Sequence, residues 1–188
     1  ELVGGIDPGY QDPCVIWSGI YRDKTLWLID YYRRSKGLAK DHVEGLLPGH
    51  TYYCDPPELD ARMHLQDEAY KRGMNCTFLC APRKRNAGED TQSAELRQVI
   101  DLVESGRLKI LASISPQLIC EVDTLEFDEK TGKPCMGRSE VVGHYDSVMA
   151  LKYLVMGIFR RDRVLFPMRF VDDERDYMNR RSEMLACA

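Results

Sequence analysis

Three aspartates stand where chemistry could be done. Asp7 closes an apolar run in Gly4-Gly5-Ile6-Asp7-Pro8-Gly9, Asp55 closes another in Tyr52-Tyr53-Cys54-Asp55-Pro56, and Asp146 begins an apolar-rich stretch in His144-Tyr145-Asp146-Ser147-Val148. Carboxylates brought together repel one another unless a cation sits between them, and a hard divalent cation takes oxygen ligands. Two Mg²⁺ or Mn²⁺ ions about 3.5–4 Å apart can activate water and stabilise the leaving oxygen of a phosphodiester. Each aspartate also has a plainer reading. Asp before Pro-Gly opens turns, and for Asp7 taken alone that reading is favoured. Asp55 before Pro56-Pro57 fits a strand end and a helix start, while Asp146 in a first helical turn complements the helix dipole and His144 fits a cap or a surface residue.

The elements around them decide how the three could meet. Strand runs are expected up to Asp7, over Cys14 to Ile20 and over Thr25 to Tyr32, a meander in which Trp17 and Trp27 read as core or cross-strand partners. A short helix over Leu38 to Leu47 leads to a strand at His50 to Asp55. Glu58 to Arg72 carries a helical stripe of Leu59, Met63, Ala69 and Tyr70 that stops at Gly73, and Asn75 to Cys80 returns as a strand. After the polar stretch Pro82 to Gln92, a helix with Leu96, Val99, Ile100 and Val103 ends at Gly106. A short strand at Leu108 to Leu111, a short helix at Pro116 to Val122, a hairpin within Thr124 to Val142 and a helix over His144 to Phe159, with Val148, Leu151, Val155 and Ile158 on one face, complete the order. In open α/β sheets ligands gather beyond the carboxyl ends of strands, so Asp7 and Asp55 on neighbouring strands would share one site, with Asp146 delivered by the late helix.

Composition narrows the class. With 188 residues the chain suffices for one α/β domain with a sizeable core. Seven scattered cysteines without a CxxC pair or zinc-finger spacing read as reduced thiols of an intracellular protein. No apolar run of about 18 residues and no signal-peptide layout occur, so neither export nor membrane insertion is expected. The net charge of −4 argues against a nucleic-acid-coating protein. Basic residues nonetheless cluster at Arg83-Lys84-Arg85, Arg160-Arg161-Asp162-Arg163 and Arg180-Arg181, a pattern that by itself fits solvated surface.

Taken in order, these features resemble the nuclease domain of tailed-bacteriophage large terminase subunits, within the RNase H-like nuclease superfamily. The resemblance rests on Gly5-Ile6-Asp7-Pro8-Gly9, on Tyr53-Cys54-Asp55-Pro56, on the basic loop before Glu95 to Leu108, on Glu126 to Pro134, and on His144 to Tyr153. Glu126 to Pro134 is similar to the family's aromatic-Asp-x-x-Thr-Gly-Lys hairpin. It covers residues 1–160 and implies an RNase H-like mixed β-sheet flanked by helices on both faces, with 161–188 a charged extension of the same domain. It further implies that Asp7, Asp55 and Asp146 form an acidic triad for two Mg²⁺ or Mn²⁺ ions. His144 would be an extra ligand or proton-transfer group, in a place where family members carry Asp-His and this chain has Gly143-His144-Tyr145. Arg83, Lys84 and Arg85, with Lys130 and Lys133 of the hairpin, would meet the backbone of double-stranded DNA.

The same resemblance implies metal-dependent cutting of concatemeric DNA in the cytoplasm of an infected bacterium. A terminase ATPase domain, a small terminase subunit and a portal protein would be the partners. No GxxxxGK[ST] phosphate loop occurs, and Glu1-Leu2-Val3 enters a strand at once, so a fragment cut at a domain boundary that cleaves without translocating is expected. The alternatives are another RNase H-like nuclease, such as a junction resolvase or transposase core, and a non-catalytic DNA-binding or assembly module.

Overall fold

A computed structural model describes residues 1–9, 11–55, 59–82, 91–111, 113–114, 116–131, 133–135 and 143–165. The chain divides into two compact units, Glu1–Ile158 and Phe159–Ala188, the second described only over residues 159–165. Strands β1 (Leu2–Asp7), β2 (Cys14–Arg22) and β3 (Thr25–Arg34) form an antiparallel meander. Asp23 and Lys24 take φ of 51° and 59° between β2 and β3, which suits a two-residue hairpin turn. β4 (Thr51–Cys54) lies parallel to β1, β5 (Thr77–Cys80) parallel to β4, and β6 (Leu108–Ile110) parallel to β3. The result is a six-stranded mixed sheet in the order β5-β4-β1-β2-β3-β6, the mixed-sheet α/β fold that the resemblance implies.

The helices are α1 (Ala39–His42), which runs into a 3-10 turn at Val43–Gly45, α2 (Leu59–Lys71), α3 (Thr91–Glu104), α4 (Pro116–Thr124) and α5 (Asp146–Leu165). Gly73 and Gly106, at φ of 69° and 64°, follow α2 and α3 where the sequence places helix stops.

Alternation along the strands gives the sheet two buried faces. Ile6, Ile16, Tyr52, Cys54 and Phe78 pack with Val43, Leu46, Leu65 and Ala69 on one of them. Residues of opposite parity meet α5 on the other. Trp17 Nε1 donates to the Ser147 carbonyl at 3.0 Å, and Val148, Leu151, Val155 and Ile158 are all buried, as their spacing predicts. Gly5 lies so close to α5 that an added Cβ would overlap the Ala150 carbonyl and Leu154, and one on Gly157 would overlap the Tyr53 ring. Gly5→Ala should therefore lower stability by about 2–3 kcal/mol, the upper part of the range for an overpacked core, read as a lower urea midpoint at unchanged slope. A variant as stable as the parent would show that α5 does not press on β1.

Three expectations for the core need correction. Trp27 pairs across the strands with Ile20 but does not enter the core, being 50% exposed, because alternation along β3 buries Leu26 and Leu28 and turns Trp27 to the opposite side. On α2 the sheet receives Leu65 and Ala69, one turn apart, while Met63 and Tyr70 lie outward at 52% and 84% exposure. On α3, Leu96, Val99 and Leu102 are buried, whereas Ile100 and Val103 are 37% and 54% exposed. Among the described residues six cysteines are free, and no helix is long and apolar enough to cross a membrane.

Candidate metal centre

Strand register brings the first two aspartates together. β1 and β4 are parallel neighbours in which Gly5 pairs with Tyr53 and Ile6 with Cys54, so Asp7 and Asp55 come next on adjacent chains. By alternation Asp7 shares its face with Gly5, and Asp55 with Tyr53, the face that α5 covers. Asp146 is the first residue of α5, which enters over that face.

The electrostatics record the meeting. The Asp7 carboxyl is pushed up from 3.8 to about 8, first by burial, then by the charges of Asp146 and Asp55, with Lys152 opposing and Glu121 adding to the rise. The Asp146 carboxyl is raised to about 6, again by burial first, with the Arg33 guanidinium opposing and Glu121 adding. Like charges in a poorly solvated place account for both directions. The three aspartates are neighbours without forming a closed ligand set: among the described residues no three His, Cys, Asp or Glu side chains are grouped so as to hold a metal ion.

Around these acids the fold supplies groups that sequence reading passed over. Glu121 of α4 has no exposed surface and caps α5: Ser147 N donates to its Oε2 at 2.9 Å, Val148 N at 3.1 Å, and Ser147 Oγ donates to its Oε1 at 2.9 Å. Arg33 of β3 donates from Nη1 to Glu121 Oε1 at 3.0 Å and sets Nη2 3.4 Å from Asp146 Oδ2. Lys152, whose charge reaches Asp7, forms a buried ion pair with Glu95 of α3 at 3.2 Å. The available signal was an acid or a base within a buried stripe: Leu118 and Glu121 share one face of α4 at i, i+3, and Lys152 follows Leu151 within the apolar run of α5.

His144 lies beside Asp146 in charge terms, and its Nε2 is 3.5 Å from Asp12 Oδ1, both side chains being substantially exposed. Its proposed part as a ligand or proton carrier is thus joined by an acid the sequence did not single out. Lys130 and Lys133 are exposed on a turn closed by the Phe127–Pro134 bridge, where Lys130 N and Thr131 N donate to Asp128 Oδ1 at 3.1 and 2.7 Å. Tyr145 Oη donates to the Thr124 carbonyl at 3.0 Å, which ties the root of that turn to the residue before Asp146. Arg83, Lys84 and Arg85 lie outside the described residues, as do Arg180 and Arg181; of Arg160 to Arg163 only the backbone is described.

No family model matches the sequence, and no curated protein matches it. Solved structures do match the fold. The phage P22 large terminase nuclease domain is 16% identical at a TM-score of 0.64, over 85% of this chain and 81% of that one. The g2p large terminase nuclease domain of bacteriophage SPP1, with bound Mn, is 18% identical at a TM-score of 0.56, over 86% of each chain. A large terminase from a thermophilic bacteriophage, in complex with ATP-gamma-S, is 13% identical at a TM-score of 0.60 over 82% of this chain and 39% of that one. Over most of its length this chain, with its six-stranded mixed sheet and flanking helices, has the fold of phage large terminase nuclease domains.

Proposed function

We propose that the chain is the metal-dependent endonuclease domain of a phage DNA-packaging motor, cutting concatemeric double-stranded DNA with little sequence preference. The observation that carries this reading is the Asp7 carboxyl, held at a strand end and pushed up to about 8 by burial and by Asp146 and Asp55. The likeness to terminase nuclease domains, one with bound Mn, supports it.

The chemistry of the donors suits the group. Asp7, Asp55 and Asp146 offer only carboxylate oxygens, the chemistry that hard divalent cations require, and would hold two Mg²⁺ or Mn²⁺ ions. When bound, such ions supply Lewis acidity and a water acidic enough to attack a phosphodiester in line. The chain's own residues fix the geometry. β1 and β4 aim two carboxylates from rigid backbone, α5 brings the third, and buried Lys152 offsets part of their charge. His144, paired with Asp12, is the side chain proposed to move a proton or add a ligand.

Lys130 and Lys133, with Arg83, Lys84 and Arg85, would contact DNA phosphates, which give affinity without sequence choice. Lys130→Ala/Lys133→Ala should weaken binding evenly across sequences and flatten the plot of log affinity against log salt by up to about 1.8, two contacts at about 0.9 each. An unchanged slope would remove the hairpin from the interface. An ATPase domain of the full-length protein, a small terminase subunit and a portal would then choose the cut site in the host cytoplasm, with 161–188 an extension of the nuclease domain 1–160.

The test is conversion of supercoiled plasmid to nicked and linear forms with Mn²⁺, Mg²⁺ or EDTA, beside Asp55→Asn prepared identically. Metal-dependent cutting that the substitution abolishes is expected. No cutting, together with no rise in melting temperature on adding Mn²⁺, would instead indicate a DNA-binding or assembly module.

A further inference from the structure

We propose that Arg33 is a positioning residue for Asp146, itself locked in place by Glu121. The inference rests on the metal-centre reading above and adds to it a residue from a strand that carries none of the three aspartates. Sheet register puts Arg33 in position. Asp7 pairs with Val15, and Val15 pairs with Arg33, so Asp7 and Arg33 occupy one row across β1, β2 and β3. Partners directly across antiparallel strands share a face, and Trp17, two residues from Val15, meets α5 on it. Arg33 therefore emerges under α5 at the level of Asp7.

The guanidinium then divides its nitrogens. Nη1 lies 3.0 Å from Glu121 Oε1 and 3.4 Å from Ser147 Oγ, while Nη2 lies 3.4 Å from Asp146 Oδ2. Glu121 cannot swing to follow a moving partner, because its other bonds, from Ser147 N, Ser147 Oγ, Val148 N and Gln117 Nε2, tie it to the start of α5 and to its own helix. A guanidinium fixed at one nitrogen by a buried acid presents the other in a set direction. Its planar fork can do this, and the point charge of a lysine ammonium cannot. Neutralising Glu121 alone would need only Nη1. That Nη2 lies against Asp146 points to control of that carboxylate's orientation, and loss of such an outer partner typically costs ten- to a hundredfold in metal affinity or activity.

The experiment compares wild type, Arg33→Lys and the pair Arg33→Met/Glu121→Gln. The pair removes both charges together and leaves an amide whose oxygen can accept from Ser147 N and Val148 N and whose NH₂ can donate to Ser147 Oγ, so the helix cap survives. Mn²⁺ affinity is read from the free-ion EPR signal, and plasmid cleavage is followed across Mn²⁺ concentrations, in proteins whose near-ultraviolet circular dichroism matches wild type. A ten- to hundredfold weaker Mn²⁺ dissociation constant in both variants, with cleavage partly recovered at high Mn²⁺, is expected. Affinity within twofold of wild type in either folded variant would overturn the inference, and so would tighter binding, which would make Arg33 a competitor of the metal. Should the pair fail to fold, Arg33→Lys carries the test. Wild type that neither binds Mn²⁺ nor cuts would overturn the nuclease reading and this inference with it, whereas an active wild type with unaltered variants would overturn this inference alone.

Discussion

In EDTA at pH 8, Asp7→Asn should be more stable than the wild-type protein while having lost metal-dependent cleavage. Folding moves the Asp7 carboxyl from 3.8 to about 8, so the folded state holds a proton that the unfolded chain releases. A raised folded value contributes stability that is complete below about pH 4 and is lost as pH rises towards 8. The asparagine carries no such dependence, so the gap between the two proteins should open through that window and level off above it. At 1.36 kcal/mol per unit the full shift sets a ceiling of roughly 5–6 kcal/mol, and local relaxation and water entry reduce the expected gap to about 2–3 kcal/mol. Urea unfolding at pH 5 and pH 8 reads it directly.

Metal should reverse the order. A cation bound only by the folded state stabilises wild type by about 2.7 kcal/mol at a hundredfold excess over its dissociation constant, and the asparagine variant should gain far less. If Asp7→Asn proved the less stable protein at pH 8 in EDTA, Asp7 would be serving the turn at Pro8-Gly9 rather than a charged site, and the metal-centre reading would lose its main support.

What the sequence disclosed follows from the range of the interactions involved. Asp7 and Asp55 were legible because a strand end followed by proline is a local signal, and their meeting followed from the order of strands. The α5 stripe was legible because Val148, Leu151, Val155 and Ile158 offer the sheet one apolar face. On α2 two stripes competed, Met63 with Tyr70 and Leu65 with Ala69, and only packing chose the second. Arg33 and Glu121 stand 88 positions apart and meet through the pairing of β1, β2 and β3 and the approach of α4 to α5, a coupling that no spacing rule expresses. Glu121 did leave a trace, since an acid in line with a core leucine on a short helix must find partners or go unburied.

Those partners make Glu121 a side chain whose loss should cost the fold heavily. It has no exposed surface, and Arg33, Ser147 N, Ser147 Oγ and Val148 N all donate to it. Glu121→Ala would leave the partly buried guanidinium with Asp146 as its one remaining acidic partner among the described residues and orphan two amide donors at the start of α5, and breaking a buried pair from one side typically costs about 3–5 kcal/mol. Glu121→Gln keeps an acceptor for the two amides and should cost less, about 1–3 kcal/mol. Urea midpoints at neutral pH would separate the three proteins. The order matters more than the sizes: because the cap holds the first turn of α5, and Asp146 begins that turn, Mn²⁺ affinity should fall in the same sequence, wild type, then Gln, then Ala. An alanine variant within about 1 kcal/mol of wild type would mean that water replaces the carboxylate at the helix start, and that the position of Asp146 is set by the packing of α5 on Gly5 and Trp17 alone.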